Sequence, residues 1–415
     1  MDKRTLLALV LAAAAVMLFQ IFYFAPAERE ARRAAQEEER ARMAAAIQDS
    51  LAAVSGAVDT TSQPAHAAPQ VSPVSPERTG LTAEIPAETA PQVPAGLASV
   101  AGLASHTEAP RREVVVETDL YEATFSSLGG VLTSMELKEF EGLDESRVNL
   151  VSHQVREAGG GEVGLVISSE RGQVDLSAVN FSVSDSVDAE TGRIRKLSFV
   201  ARDEASGVQI SKVFSFTDGS YVVGLEIELR GISSEVEKLE CLLGWTGGLS
   251  LTETNEKEEI RNIATVFLLG TEMIRDNLNS FKKEPRKEHT GNVVWGAVRS
   301  RYFIAAVVPP HGVSSKVLSF GDQEKNVSGM QLAIPVSVSG ATRVDCTLYL
   351  GPIDLWKLRA LDVGLERNVN MGWSWIRPLS QLVLQFLVAC HKVFPNYGSV
   401  IILLSALTKL LFYPL

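Results

Sequence analysis

The chain has 415 residues, 46% of them hydrophobic, with 39 Lys and Arg against 50 Asp and Glu for a formal net charge of −11. That balance argues against nucleic acid as the main partner. The length implies one sizeable core plus additional segments, and three cysteines (Cys241, Cys346 and Cys390) are too few for a disulfide framework or a CxxC zinc site.

The N-terminus reads Asp2-Lys3-Arg4 and then an apolar run from Leu6 to Ala25, broken strongly only by Gln20. About 20 residues at ~1.5 Å each give roughly 30 Å, the hydrocarbon thickness of a bilayer. The bulky end Phe19-Gln-Ile-Phe-Tyr-Phe24 suits an uncleaved interfacial anchor, so 1–26 is expected to be a transmembrane signal anchor. The competing reading is a cleaved signal peptide, because Ala25-Pro-Ala27 has the small-x-small form of a cleavage site. Basic residues flank the run on both sides, so charge leaves its orientation open, and export of the long following domain favours the N-terminus inside.

Residues 27–112 read as a helical stretch and then a flexible tether. Ala27 to Ala53 is rich in Ala, Glu, Arg and Gln, with charges spaced for i,i+3 and i,i+4 pairing. Gly56 to Pro110 is dominated by Ala, Pro, Ser, Thr and Gln without aromatics, a composition that cannot offset its ordering entropy by burial. His66 and His106 fall in it as solvated residues.

Past Arg112 the texture becomes β. Strands are expected in Glu113–Phe125, Val131–Leu137, Gly164–Ser168, Ile194–Ala201, Gln209–Phe216, Tyr221–Leu229 and Lys238–Leu243, then Val293–Ala297, Tyr302–Val308, Ser315–Phe320, Met330–Val338 and Thr342–Leu350. Thr217-Asp-Gly-Ser220 reads as a hairpin turn. Many short strands with few helices indicate an all-β sandwich over 113–352. Polar Arg275 to Lys287 reads as an exposed loop, either plainly solvated or offering a basic face to lipid headgroups. Cys241 and Cys346 read as two buried thiols, with a pairing open if the domain is exported.

Residues 353–395 read as amphipathic helices. A short helix fits Asp354–Leu361, and Trp373 and Trp375 suit the level of lipid headgroups. Ser380–Phe394 is apolar but carries Gln381, Gln385, His391 and Lys392, which suits a helix lying in the membrane interface; a soluble helix packed on the sandwich is its rival. Residues 396–415 are apolar with one formal charge, Lys409. An ammonium there costs roughly 2.5–3.5 kcal/mol on insertion scales and points to a functional site. Its bland alternative is a stem that snorkels to the interface.

These residues carry a family resemblance. The start Met1-Asp-Lys-Arg-Thr-Leu-Leu, Val116-Glu-Thr-Asp119 with Gly129-Gly130, Tyr302-Phe303 before Pro309, and Leu348-Tyr-Leu-Gly-Pro352 resemble landmarks of the YidC/Oxa/Alb family of membrane protein insertases. So do Gly372-Trp-Ser-Trp375 with Pro378-Leu379, and Asn396-Tyr-Gly-Ser399 through Lys409 to Tyr413-Pro-Leu415. The resemblance implies a mainly β periplasmic domain, a β-supersandwich related in form to sugar mutarotases, with α-helical membrane segments at both ends. It implies a multi-pass protein of the bacterial inner membrane that inserts and helps fold nascent membrane proteins without hydrolysis or cofactor. Nascent membrane proteins, the Sec translocon, the lipid bilayer, and the ribosome through parts beyond Leu415 are the partners it implies. Lys409 aligns with a basic groove position that is usually arginine in the family; lysine keeps the charge and loses the bidentate fork. The sequence ends inside the second span, so either a longer frame continues it or the product is truncated and without independent insertase activity. Two other classes stay open: a membrane-anchored carbohydrate-binding or scaffold sandwich, and a mutarotase-type enzyme, for which His153, His289 and His311 are the available histidines.

Overall fold

Strand Gln209–Phe216 alternates Ile210, Lys212, Phe214 and Phe216 on one buried face, and strand Val222–Arg230 alternates Val223, Leu225, Ile227 and Leu229 on its own. The turn at Thr217–Ser220 folds the two together antiparallel, with Phe216 opposite Val223 nearest the turn. Gly219, at φ +68°, supplies the left-handed residue that the turn needs. Period-two burial on both strands is what sets this register, because a one-residue slip would turn every core residue to solvent.

The computed structural model describes residues 111–369, apart from 143–145, 171, 233–237, 254 and 338–340, together with 97, 100, 102, 103, 377–391 and 396–413. Two compact units divide the chain: Ala87–Val369, and Met1–Pro86 with Asn370–Leu415. The first unit is mainly β, and every strand pairing among the described residues is antiparallel.

Its nine-stranded sheet runs Glu272–Asn277, Ala264–Leu269, Val293–Arg299, Phe303–Val308, Thr342–Pro352, Val222–Arg230, Gln209–Phe216, Ile194–Arg202 and Ser182–Val187. A six-stranded sheet runs Arg286–Thr290, Lys316–Asp322, Val327–Val336, Leu239–Trp245, Leu165–Ser169 and Gly172–Asp175. The two face each other, with Val293–Arg299 over Val327–Val336. Trp245 and Trp295 are fully buried in the core. A four-stranded sheet, Glu113–Glu117, Tyr121–Ser126, Val131–Glu141 and Arg147–Asn149, joins the same core. Its Phe125 packs on Phe199, Phe214 and Phe216, at centroid distances of 6.2, 4.8 and 5.7 Å.

Several expectations change. The single strand over Glu113–Phe125 is two strands, because Thr118 Oγ1 accepts the N–H groups of Leu120 and Tyr121 and turns the chain. Arg275–Lys287 is not a plain exposed loop. Leu278 and Phe281 sit in a 3-10 turn and are buried, and strand Arg286–Thr290 pairs with Lys316–Asp322. Leu97, Val100 and Leu103 lie in the stretch expected to be a tether, yet all three are buried in the core cluster. Three apolar side chains at helical spacing suffice there where the surrounding composition does not. Cys241 and Cys346 are both buried free thiols. The expected anchor 1–26 lies outside the described residues.

Candidate functional site

Two helices of the second unit are described, and the second carries Lys409. Arg377–His391 has Pro378 in its first turn, where a missing N–H costs nothing. Tyr397–Phe412 begins at Asn396, whose side chain accepts the N–H of Gly398 at 2.8 Å. The rings of His391 and Tyr397 stack with centroids 3.8 Å apart, tying the end of the first helix to the start of the second. The second helix is apolar almost throughout, yet Ile401, Ile402, Leu403 and Leu407 are exposed, Ile402 at 72%. Four neighbouring apolar side chains in water are a liability unless something apolar covers them.

Lys409 is exposed in the last turn of this helix. Its charge there also complements the helix dipole. Trp373 and Trp375 lie outside the described residues. The helix spans 16 residues, about 24 Å at ~1.5 Å each. Among the described residues no helix is long and apolar enough to cross a membrane.

Two charged groups in the β unit escaped the sequence reading. Lys212 occupies a core position of its strand and is fully buried. Its Nζ donates to the carbonyls of Gly130 at 2.6 Å, Val163 at 2.8 Å and Gly129 at 3.5 Å. Burial brings its pKa down to about 7. Glu162, also fully buried, accepts the N–H groups of Thr246 at 2.6 Å and Gly247 at 2.7 Å. Burial pushes its pKa up to about 7, against the pull of those two N–H groups. Gly247 is required beside it: a Cβ would stand 1.9 Å from Val155 Cγ2 and 2.6 Å from Glu162 Oε1. Both charges are saturated by backbone groups, so their chemistry is to hold loops together. The signal in the sequence was a lysine on the apolar phase of an alternating strand.

Two of the three candidate histidines are held in ion pairs, and His311 is exposed at the surface. His153 pairs with Glu157 at 3.2 Å, and His289 with Asp276 at 2.9 Å. Asp276 also accepts Ser319 Oγ at 2.7 Å and Lys287 Nζ at 3.0 Å, joining the edges of the two large sheets. Among the described residues no cluster of three His, Cys, Asp or Glu side chains could hold a metal ion.

Known proteins resemble this chain over most of its length. A family model described as the YidC periplasmic domain matches residues 113–382. A protein named membrane protein insertase YidC from Pelodictyon phaeoclathratiforme is 32% identical over 367 residues, which cover 84% of this chain and 61% of that protein. One of the same name from Syntrophus aciditrophicus is 29% identical over 100% of this chain and 70% of its own length. The chain thus spans about three fifths of the length of the first of these relatives. Among solved structures, a galactose mutarotase related enzyme from Lactobacillus acidophilus matches with a TM-score of 0.39 at 8% identity, over 58% of this chain and 97% of that one. YidC from Thermotoga maritima matches with a TM-score of 0.36 at 13% identity, over 73% and 69%. Structural likenesses of that size assign nothing.

Proposed function

The chain belongs to the YidC periplasmic-domain family, and from that premise we propose that it works as a membrane protein insertase, inserting nascent integral membrane proteins without hydrolysis. The observation that carries the reading is the helix Tyr397–Phe412, with exposed Ile401, Ile402, Leu403 and Leu407 and a single formal charge, Lys409. Lipid or a client helix would cover those side chains, and neither needs a polar partner. An ammonium beside them would draw the acidic, polar part of a client toward the membrane while the client's apolar helix stays in lipid. A hydrated groove lowers the desolvation cost of that polar segment, several kcal/mol per buried ion.

The rest of the organisation follows as part of the proposal. Residues 1–26 form a transmembrane anchor and 27–112 a helical stretch and tether, except where Leu97, Val100 and Leu103 join the β core. Residues 113–352 form a β-supersandwich on the periplasmic side of the bacterial inner membrane. Residues 353–395 are interfacial except where Leu358 and Leu365 join the β core, with Trp373 and Trp375 as headgroup anchors, and 396–415 begin the membrane core. The Sec translocon is a partner in this reading, and so is the ribosome.

Depletion of the full-length protein in its own cells tests the function. Small membrane proteins with short translocated tails are expected to stay accessible to protease on the cytoplasmic side. Normal insertion of every such client after depletion contradicts the reading.

A further inference from the structure

The β unit holds a cleft of about 500 Å³ that the proposed activity leaves unused. Arg147 enters it from an edge strand, Arg156 from the helix His153–Glu157, and Lys325 from the turn before Val327. Leu249, Leu251 and Val327 supply apolar surface between them. Gln154 Nε2 donates to the Lys325 carbonyl at 3.1 Å and holds helix and turn together.

Among the described residues, no Asp or Glu lines this cleft, in a chain whose net charge is −11. Three described carboxylates around it have partners of their own. Glu259 lies behind Thr252, with both oxygens taken by N–H groups of Thr252 and Glu253. Glu157 pairs with His153. Asp322 pairs with Lys325 at 3.8 Å, an ion pair longer than a hydrogen bond. Arg156 spends Nε on the Val151 carbonyl and keeps its other two nitrogens for a ligand. Three cations from three elements therefore converge on one concavity of ligand-binding size.

We propose that this cleft binds an acidic, partly apolar segment of extended polypeptide. Charge complementarity selects the carboxylates, and the apolar surface selects their neighbours. Strand Arg147–Asn149 is the outer strand of its sheet, pairing with Val131–Glu141 on one side only, so it offers main-chain groups to a chain laid alongside. A lone phosphate would use the cations and leave the apolar surface and the strand edge idle. The proposal does not rest on the insertase reading, since binding is a property of the β unit itself.

The test is fluorescence anisotropy on the purified full chain, with a short labelled peptide alternating Asp and Leu and a matched peptide alternating Lys and Leu. Saturable binding of the acidic peptide alone is expected, weakening as salt rises. Arg147→Glu with Lys325→Glu should weaken it at least about tenfold. Arg147→Gln with Lys325→Gln should give an intermediate loss, and an unchanged thermal melt of both variants separates lost binding from lost folding. Equal binding of the two peptides overturns the proposal, as does undiminished binding by the charge-reversed variant. Capture of the chain by vesicles of anionic phospholipid through the same two residues, without peptide binding, would replace it with a lipid headgroup site; competition by inorganic phosphate alone would replace it with a free-phosphate site.

Discussion

Replacing Lys212 by methionine should have an effect whose size depends on pH. The variant keeps the length of the side chain and removes the ammonium. Two short hydrogen bonds disappear, leaving the carbonyls of Gly130 and Val163 buried without donors. Each orphaned carbonyl costs about 1–3 kcal/mol, or about 2–6 kcal/mol for the pair. Against this, the folded wild type carries a penalty of its own. A drop in pKa from 10.5 to about 7 corresponds to roughly 5 kcal/mol against the charged form. Below about pH 7 both folded and unfolded chains hold the proton, so the penalty is complete and constant. Between about pH 7 and 10.5 the unfolded chain holds a proton that the folded chain has released, so stability rises with pH. Near pH 6 the two effects offset, and Lys212→Met should lie within about 3 kcal/mol of wild type. Near pH 10 the penalty is nearly gone, and the variant should be less stable by about 2–6 kcal/mol. Urea unfolding followed by the fluorescence of buried Trp245 and Trp295 measures both. A difference between the two proteins that is the same at both pH values would refute the reasoning.

Three further outcomes are expected. A fragment of residues 87–369 should be soluble, with a β-type circular dichroism spectrum and one cooperative melt; a helical or unfolded spectrum would contradict the domain assignment. Leu97→Ala should destabilise that fragment by about 2–5 kcal/mol, measured by urea unfolding, because Leu97 is fully buried in the core; no loss would return this segment to the tether. Asp276→Asn should cost about 1–3 kcal/mol at neutral pH. Burial raises the pKa of Asp276, but Ser319, Lys287 and His289 outweigh it and hold the carboxyl below its usual value. Its contribution is therefore present above about pH 4 and fades on acidification, so the gap between variant and wild type in thermal melts should narrow as pH falls.

The sequence made the central hairpins legible because their burial alternates cleanly. Gln209–Phe216 coincides with the expected strand, and Thr342–Pro352 extends its expectation by two residues. Strand Ser182–Val187 escaped because it lies at a sheet edge and is exposed along most of its length, so it shows no apolar alternation. Ala264–Leu269 escaped for the opposite reason. It is buried on both faces, and a continuous apolar run has no period to read. The cleft around Arg147, Arg156 and Lys325 is spread over about 180 residues of chain and exists only once the sheets are closed. Lys409 stood out because a charge in an apolar run is visible without any fold.

The central claim is that the charge at Lys409 acts on clients. Site-directed variants in the full-length protein, expressed at equal level, test it through insertion of clients with acidic translocated tails. Lys409→Arg should preserve insertion, since it keeps the charge, and Lys409→Glu should impair acidic-tailed clients far more than neutral ones. Normal insertion of acidic-tailed clients by the Lys409→Glu protein would contradict the account and leave Lys409 as an interfacial anchor.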